Sequence, residues 1–312
     1  MPIFSGHLPC RLRHAAGNAS VAAMLALSFG LAAALCWSVH DCVARSYASR
    51  IGPYRMAFLV ILTGALLLLP IVLWRNVIWQ AEGWAIGYAL ALGAVYAFAL
   101  GGLFKAFSVA PVSIVGPTTA AYPALVVLWG LFHGLSPTLV EWTGVVLVLA
   151  GAITVGASGP VEGGRASIAP GQVGMAVLAI LAANAGFASA VILGQAASVS
   201  MGEVETTFVS RFPAALLLAP LLAGDVRRQG SWPRRGTLAV IAMAALDVGA
   251  VTAVNGAGHF PEKEFAAMGV SAYGGLAVLV AMIFLREKVS RGQWLGIAMI
   301  VVGITCLGWP KG

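Results

Sequence analysis

Apolar residues run along this chain in long blocks, separated by short polar or Gly/Pro-rich breaks. Ten blocks occupy about 21–43, 55–74, 84–107, 112–132, 139–157, 172–196, 204–223, 236–257, 264–284 and 292–309. A helix needs roughly 20 residues to cross the hydrocarbon core, and each block approaches that length. Alternation with period two is absent and the runs are too long for barrel strands, which excludes a β-barrel. The breaks carry turn residues, as at Arg50-Ile51-Gly52-Pro53, Ala110-Pro111, Ser136-Pro137 and Gly159-Pro160. Trp74, Trp79 and Trp84 cluster at one boundary, as an interfacial aromatic belt would. The pattern predicts an all-α membrane protein with ten transmembrane helices.

Composition removes the competing classes. Of 312 residues, 60% are hydrophobic and 9% charged, against about 25% charged in a soluble domain. Disordered, collagen-like and disulfide-scaffold chains each need another composition. The net charge of +7 does not signal nucleic acid, because the basic residues lie in short loops beside apolar blocks. Cys10, Cys36, Cys42 and Cys306 show no CxxC and no metal-ligand spacing, so no metal is expected. Arg11, Arg13 and His14 precede an apolar block as in a signal peptide. That block is too long for a cleaved segment and nine more follow, so it reads as a retained first span.

The halves repeat. Trp142-Thr143-Gly144 with Gly151 matches Trp294-Leu295-Gly296 with Gly303 at an offset of 152, and Phe132 and Phe284 keep it. Ala65–Pro70 matches Ala215–Pro220 at an offset of 150, as Trp37 matches Phe187. The expected organisation is a tail at 1–20, one five-helix repeat at 21–157, a connecting loop at 158–171 and a second repeat at 172–309. Five crossings are an odd number, so the second copy enters from the opposite side. Two inverted five-helix repeats place a substrate site near the midplane and alternate access by rocking. A duplicated scaffold without transport is the competing reading.

Charge inside the blocks marks candidate chemistry. Asp41, Arg55, Lys105, Glu141, Glu205 and Glu264 lie near block ends, where they are expected to snorkel or meet headgroups. Arg211 and Asp247 are deep, where a charge costs roughly 2.5–3.5 kcal/mol on insertion scales. Asp247 suits a proton site, a cationic substrate or a structural pair with Arg211. Arg211 suits a bidentate grip on a carboxylate or phosphate, or pairing with Asp247. Pro213, just beyond, would loosen the local backbone and free carbonyls. Asn255 is two turns past Asp247, and with Asn184 is either cavity lining or polar glue between helices. His40 and Asp41 form a gate, a proton entry or an interfacial anchor. Trp37, Tyr96, Tyr122 and Tyr273 line a cavity or simply pack, and Lys105 stands at the boundary. Gly83/Gly87, Gly130/Gly134 and Gly292/Gly296 have GxxxG spacing, read as close packing within the bundle.

No P-loop, HExxH, GxSxG or Asp-rich prenyl motif occurs, so neither an enzyme nor a cofactor is expected. Without an ATP site, transport would run on an ion gradient, exchange or the substrate gradient.

Several segments carry a family resemblance. They are Trp37-Ser38, Lys105-Ala106-Phe107, Tyr122-Pro123-Ala124-Leu125, and Leu285-Arg286-Glu287-Lys288 followed by Gln293-Trp294-Leu295-Gly296. In order and spacing the chain resembles the ten-helix EamA-like group of the drug/metabolite transporter superfamily, over about residues 20–309. It departs at Gly134-Leu135-Ser136-Pro137, where the first Glu-Arg copy is lost. It departs at Ile61, where an arginine is common, and at His40-Asp41, where a small polar residue is usual. The resemblance implies a secondary transporter of a small polar metabolite or drug-like compound, exporting it across a bacterial inner membrane. The expected partners are a small-molecule substrate and the lipid bilayer, with protons as candidate coupling ion on the strength of Asp247, and no nucleic acid. Monomer and homodimer both stay open. A lipid-carrier flippase on the same fold and a non-transporting scaffold are the alternatives. Twelve Lys and Arg follow the odd-numbered blocks and five lie on the other side. That count puts the termini outside, whereas the resemblance implies cytoplasmic termini.

Overall fold

The computed structural model describes residues 10–109, 122–158, 170–222, 234–284, 289–307 and Trp309. Positions 112–121 of the fourth block, most of the connection at 158–171 and the motif at 285–288 lie outside the described residues. The helices are α1 (Cys10–Ile51), α2 (Pro53–Arg75), α3 (Gly83–Val109), α4 (Tyr122–Phe132), α5 (Leu139–Ala157) and α6 (Val173–Met201). They continue with α7 (Glu203–Leu218), α8 (Gly236–Gly256), α9 (Phe265–Val270), α10 (Tyr273–Phe284) and α11 (Arg291–Leu307). No strand occurs among the described residues. Among the described residues seven stretches are long and apolar enough to cross a bilayer, and α4 and α11 are shorter apolar helices.

Among the described residues the ninth block is divided between two helices, α9 and α10. At Ser271 and Ala272 the ladder tightens to three-residue bonds, Ser271 N–H reaching Met268 and Ala272 N–H reaching Gly269, both at 3.1 Å. The expected loosening at Pro213 does not occur: α7 runs through that proline. Its ring lies against α3, with Cγ 2.6 Å from where a Cβ on Gly93 would stand.

The bundle is held by small residues and coated by large ones. Ala26, Ala33, Ala183, Ala244 and Ala266 are fully buried, whereas Leu66, Leu73, Leu178, Leu216 and Leu238 face outward. Lipid tails are as apolar as leucine, so helices associate through close packing of small side chains rather than by burying large ones. Trp74 and Trp79 stand 85% and 80% exposed at the expected belt.

The inverted repeat is visible at the seam between α5 and α11. A Cβ on Gly144 would lie 2.7 Å from the Gly303 carbonyl oxygen, and one on Gly151 2.7 Å from that of Gly296. The same glycines are paired by the sequence offset, Gly144 with Gly296 and Gly151 with Gly303. Equivalent helices therefore meet antiparallel, each touching the other's counterpart, which defines a two-fold axis across the helices. Of the spacing motifs, Gly296 packs this way, while Gly83 and Gly87 meet nothing within 4 Å and Gly134 closes a turn at φ 97°.

Two further features repeat. Gly52 (φ 90°) ends α1 and Gly202 (φ 87°) ends α6, 150 residues apart and on opposite faces; both take backbone angles that favour glycine. Capping boxes open α5 and α11. Thr138 N–H donates to Glu141 Oε2 (2.6 Å) and Glu141 N–H to Thr138 Oγ1 (3.2 Å). Ser290 N–H donates to Gln293 Oε1 (2.8 Å) and Gln293 N–H to Ser290 Oγ (3.1 Å). The boxes are 152 residues apart. This corrects the expectation for Glu141: it is buried and ties down a helix start rather than reaching headgroups.

Candidate functional site

α3 lies along α6, α1 along α8, and α2 crosses α7. The first two pairings are exchanged by the repeat, and the polar centre lies where these helices meet. α7 carries Arg211 and α8 carries Asp247, 3% and 4% exposed. Arg211 Nη1 donates to Asp247 Oδ2 at 2.5 Å. The other oxygen, Oδ1, accepts from Trp37 Nε1 on α1 at 3.1 Å. A first-half helix thus closes on a second-half ion pair. At the position equivalent to Arg211, Ile61 joins an apolar cluster with Ala97, Ala214 and Leu218.

One turn beyond Trp37, His40 Nδ1 lies 2.7 Å from Asp41 Oδ1. Tyr273 at the start of α10 donates its hydroxyl to Asp41 Oδ2. Ser38 Oγ bonds the Ala34 carbonyl (2.6 Å) and the Tyr273 carbonyl (3.3 Å). Half the Asp41 side chain is open, at 46% exposure, against 6% for Asp247. Tyr96 on α3, Phe187 on α6 and Tyr122 on α4 form an aromatic wall, with centroid separations of 6.0 and 5.9 Å about Phe187. A small cavity lies beside the pair, lined by Leu92, Gly93, Tyr96, Ser210, Arg211, Ala214 and Val251, with room for about one water.

Trp37, His40, Asp41, Tyr96, Tyr273, Arg211 and Asp247 are thus gathered around the centre. Asn255 belongs to another layer, nearer the face that holds the start of α1 and the end of α11. Its Nδ2 donates to Thr207 Oγ1 at 3.0 Å, and its side-chain Oδ1 fills the space left by Gly194. Asn184 donates back to the Ile180 carbonyl at 2.9 Å. Lys105 is exposed near the end of α3.

The Asn255 layer continues into groups that block position concealed. Ser198 Oγ donates to the Asn255 carbonyl (2.6 Å), and Gln195 Nε2 to the Lys263 carbonyl (3.1 Å). Beside them Glu205 is fully buried, its Oε1 3.1 Å from Arg75 Nε at the end of α2. Glu203 lies 3.8 Å from Arg75 and 3.6 Å from His259. Glu205 therefore does not snorkel as expected: its short side chain points across the bundle to a cation from the other repeat. Glu264 is also buried rather than at headgroups. Its side chain occupies the space opened by Gly130.

Arg75→Ala is expected to destabilise the protein by about 2–3 kcal/mol, below the 3–5 of a fully buried pair because Arg75 is one-third exposed. Adding Glu205→Gln should restore most of the loss. Thermal unfolding of the purified variants in detergent measures both, and an Arg75→Ala protein as stable as wild type would refute the pairing's role.

Helices of opposite repeats closing around a buried polar pair describe a membrane transporter of the two-repeat class. Residues 24–157 and 174–309 both match the EamA-like transporter family. The chain belongs to that family, within the drug/metabolite transporter superfamily. A solved crystal structure, described only as that of a protein, has a similar fold. It aligns at a TM-score of 0.73 and 21% identity, covering 90% of this chain and 95% of its own. No protein of curated function matches the sequence.

Proposed function

We propose that this protein is a secondary active exporter in a bacterial inner membrane, moving a small polar metabolite or drug-like organic compound by alternating access between its repeats. The observation that carries the reading is the buried Arg211–Asp247 pair, closed by Trp37 from the other repeat and bordered by a cavity. A membrane protein keeps such charges at the midplane chiefly where they meet a substrate or ion. Rocking α1 against α7 and α8 would expose the pair to one face and then the other. The layer from Arg75 and Glu205 to Gln195 and Ser198 would act as the closure on the face of the termini.

Proton coupling fits the His40–Asp41–Tyr273 group better than Asp247. Both carboxylates hold donors on each oxygen, but Asp247 is sealed against a permanently charged arginine, whereas Asp41 is half-exposed and shares its carboxylate with a titratable ring. The test is efflux from proteoliposomes loaded with a mixture of small organic solutes, read by mass spectrometry with and without a pH gradient. Wild type should release a subset of solutes faster than empty liposomes, and a gradient should accelerate it. In His40→Ala the acceleration should disappear. Release identical to protein-free liposomes under every condition would overturn the reading.

A further inference from the structure

The guanidinium of Arg211 is only half used. Asp247 occupies Nη1. Nε and Nη2, the two nitrogens of the side-on edge, are buried and have no hydrogen-bond partner. Their N–H groups point the same way, in the geometry that grips a carboxylate with two parallel bonds. Leaving buried donors of a charged group unmade costs roughly 1–3 kcal/mol each, so an arginine held this way calls for an occupant.

The surroundings show what fits. Gly64 on α2 lies against this part of the guanidinium without supplying a partner: a Cβ there would sit 2.9 Å from Val248 Cγ2 and 3.8 Å from Nε. On the cavity side the lining is Leu92, Ala214 and Val251 with Tyr96 and Ser210. Ser210 gives its hydroxyl proton to the Thr207 carbonyl at 2.7 Å, which leaves its oxygen an acceptor. The local charge is already balanced, Arg211 against Asp247. A dianion would place two further negative charges beside that pair in apolar walls, where desolvation is not repaid.

We propose that the Nε/Nη2 edge of Arg211 is a subsite for the carboxylate of a small organic monoanion. This rests on the transport reading above and names the substrate class of the same site. The cavity admits about one water in this state, so the ligand enters only when α3 draws back from α7. Asp247 is then a positioning residue: it holds the guanidinium at Nη1 and leaves the Nε/Nη2 edge without a protein partner.

The test uses the purified full-length chain in detergent, titrated calorimetrically with benzoate, with uncharged benzamide of the same shape, and with inorganic phosphate. Benzoate should bind, while benzamide and phosphate should not. Arg211→Lys keeps a cation for Asp247 but loses the planar edge, and should bind benzoate roughly tenfold more weakly. Benzamide binding as tightly as benzoate, preference for phosphate, no binding of any probe, or wild-type affinity in Arg211→Lys would each overturn the proposal. The comparison among probes uses the wild-type chain and stands whether or not the variant folds. Efflux separates this inference from the one beneath it. Release of amines or amides but not carboxylates would overturn the subsite and leave the transporter. Benzoate binding without efflux of any solute would leave the subsite and overturn the transporter.

Discussion

Asp247→Ala is expected to cost about 3–5 kcal/mol of stability, the penalty for stranding a buried charge, and to abolish transport. The substitution removes the acceptor of Arg211 and of the Trp37 indole together. It leaves a guanidinium 3% exposed in the middle of the bundle. The double variant Arg211→Leu with Asp247→Leu should behave differently. Replacing a whole buried pair by apolar side chains is often neutral or stabilising, and leucine suits these walls. The double variant also strands the part-buried Trp37 indole N–H, so it should melt close to the wild-type temperature, well above Asp247→Ala, and still move no solute. Thermal unfolding and efflux from proteoliposomes give the two readouts. A double variant that transports at the wild-type rate would reduce the pair to a structural element, and a stable Asp247→Ala would deny it even that.

Gly93→Ala should also impair both stability and transport, by less than Asp247→Ala, although it changes no charge. A Cβ at Gly93 would stand 2.0 Å from the Ser210 carbonyl oxygen and 2.6 Å from Pro213 Cγ. The carbonyl is backbone and cannot rotate away, so α3 and α7 must part by more than about 1 Å. Overpacking of this kind costs about 1–3 kcal/mol. Ser210 precedes Arg211, so the same displacement moves the guanidinium. A misplacement near 1 Å can cost about 100-fold in rate. Gly87 on the same helix meets nothing within 4 Å, and Gly87→Ala should gain about 0.5–1 kcal/mol from helix propensity. Equal melting temperatures and equal efflux for the two variants would show that the α3–α7 crossing does not position the site.

Much of the architecture is legible along the chain. Block lengths give the crossings, and the offset of 152 between the tryptophan motifs anticipates the antiparallel meeting of α5 and α11. Thr138-x-x-Glu141 and Ser290-x-x-Gln293 carry the capping-box signature at the same offset. That signature ties Glu141 to the start of its own helix rather than to headgroups, while its burial comes from the packing of α5. Glu205 offers no such cue. Its position beside a block end suits a headgroup contact as well as the buried approach to Arg75 that it makes.

The sequence by itself determined that the chain crosses a membrane, that it does so in two copies, and that Arg211 and Asp247 are the charges farthest from the ends of their blocks. Only the tertiary structure decided that these two face each other, that Trp37 closes on them, that Asn255 serves a different layer, and that the ninth crossing breaks at Ser271. The reason lies in the solvent. A helix in a water-soluble protein marks its buried face with a stripe of apolar residues. In lipid both faces are apolar, so the rotation of each helix about its axis leaves little trace in the pattern. That rotation is fixed by which small residues allow backbones to touch, as Gly93 does at Ser210, and it selects the polar groups that meet.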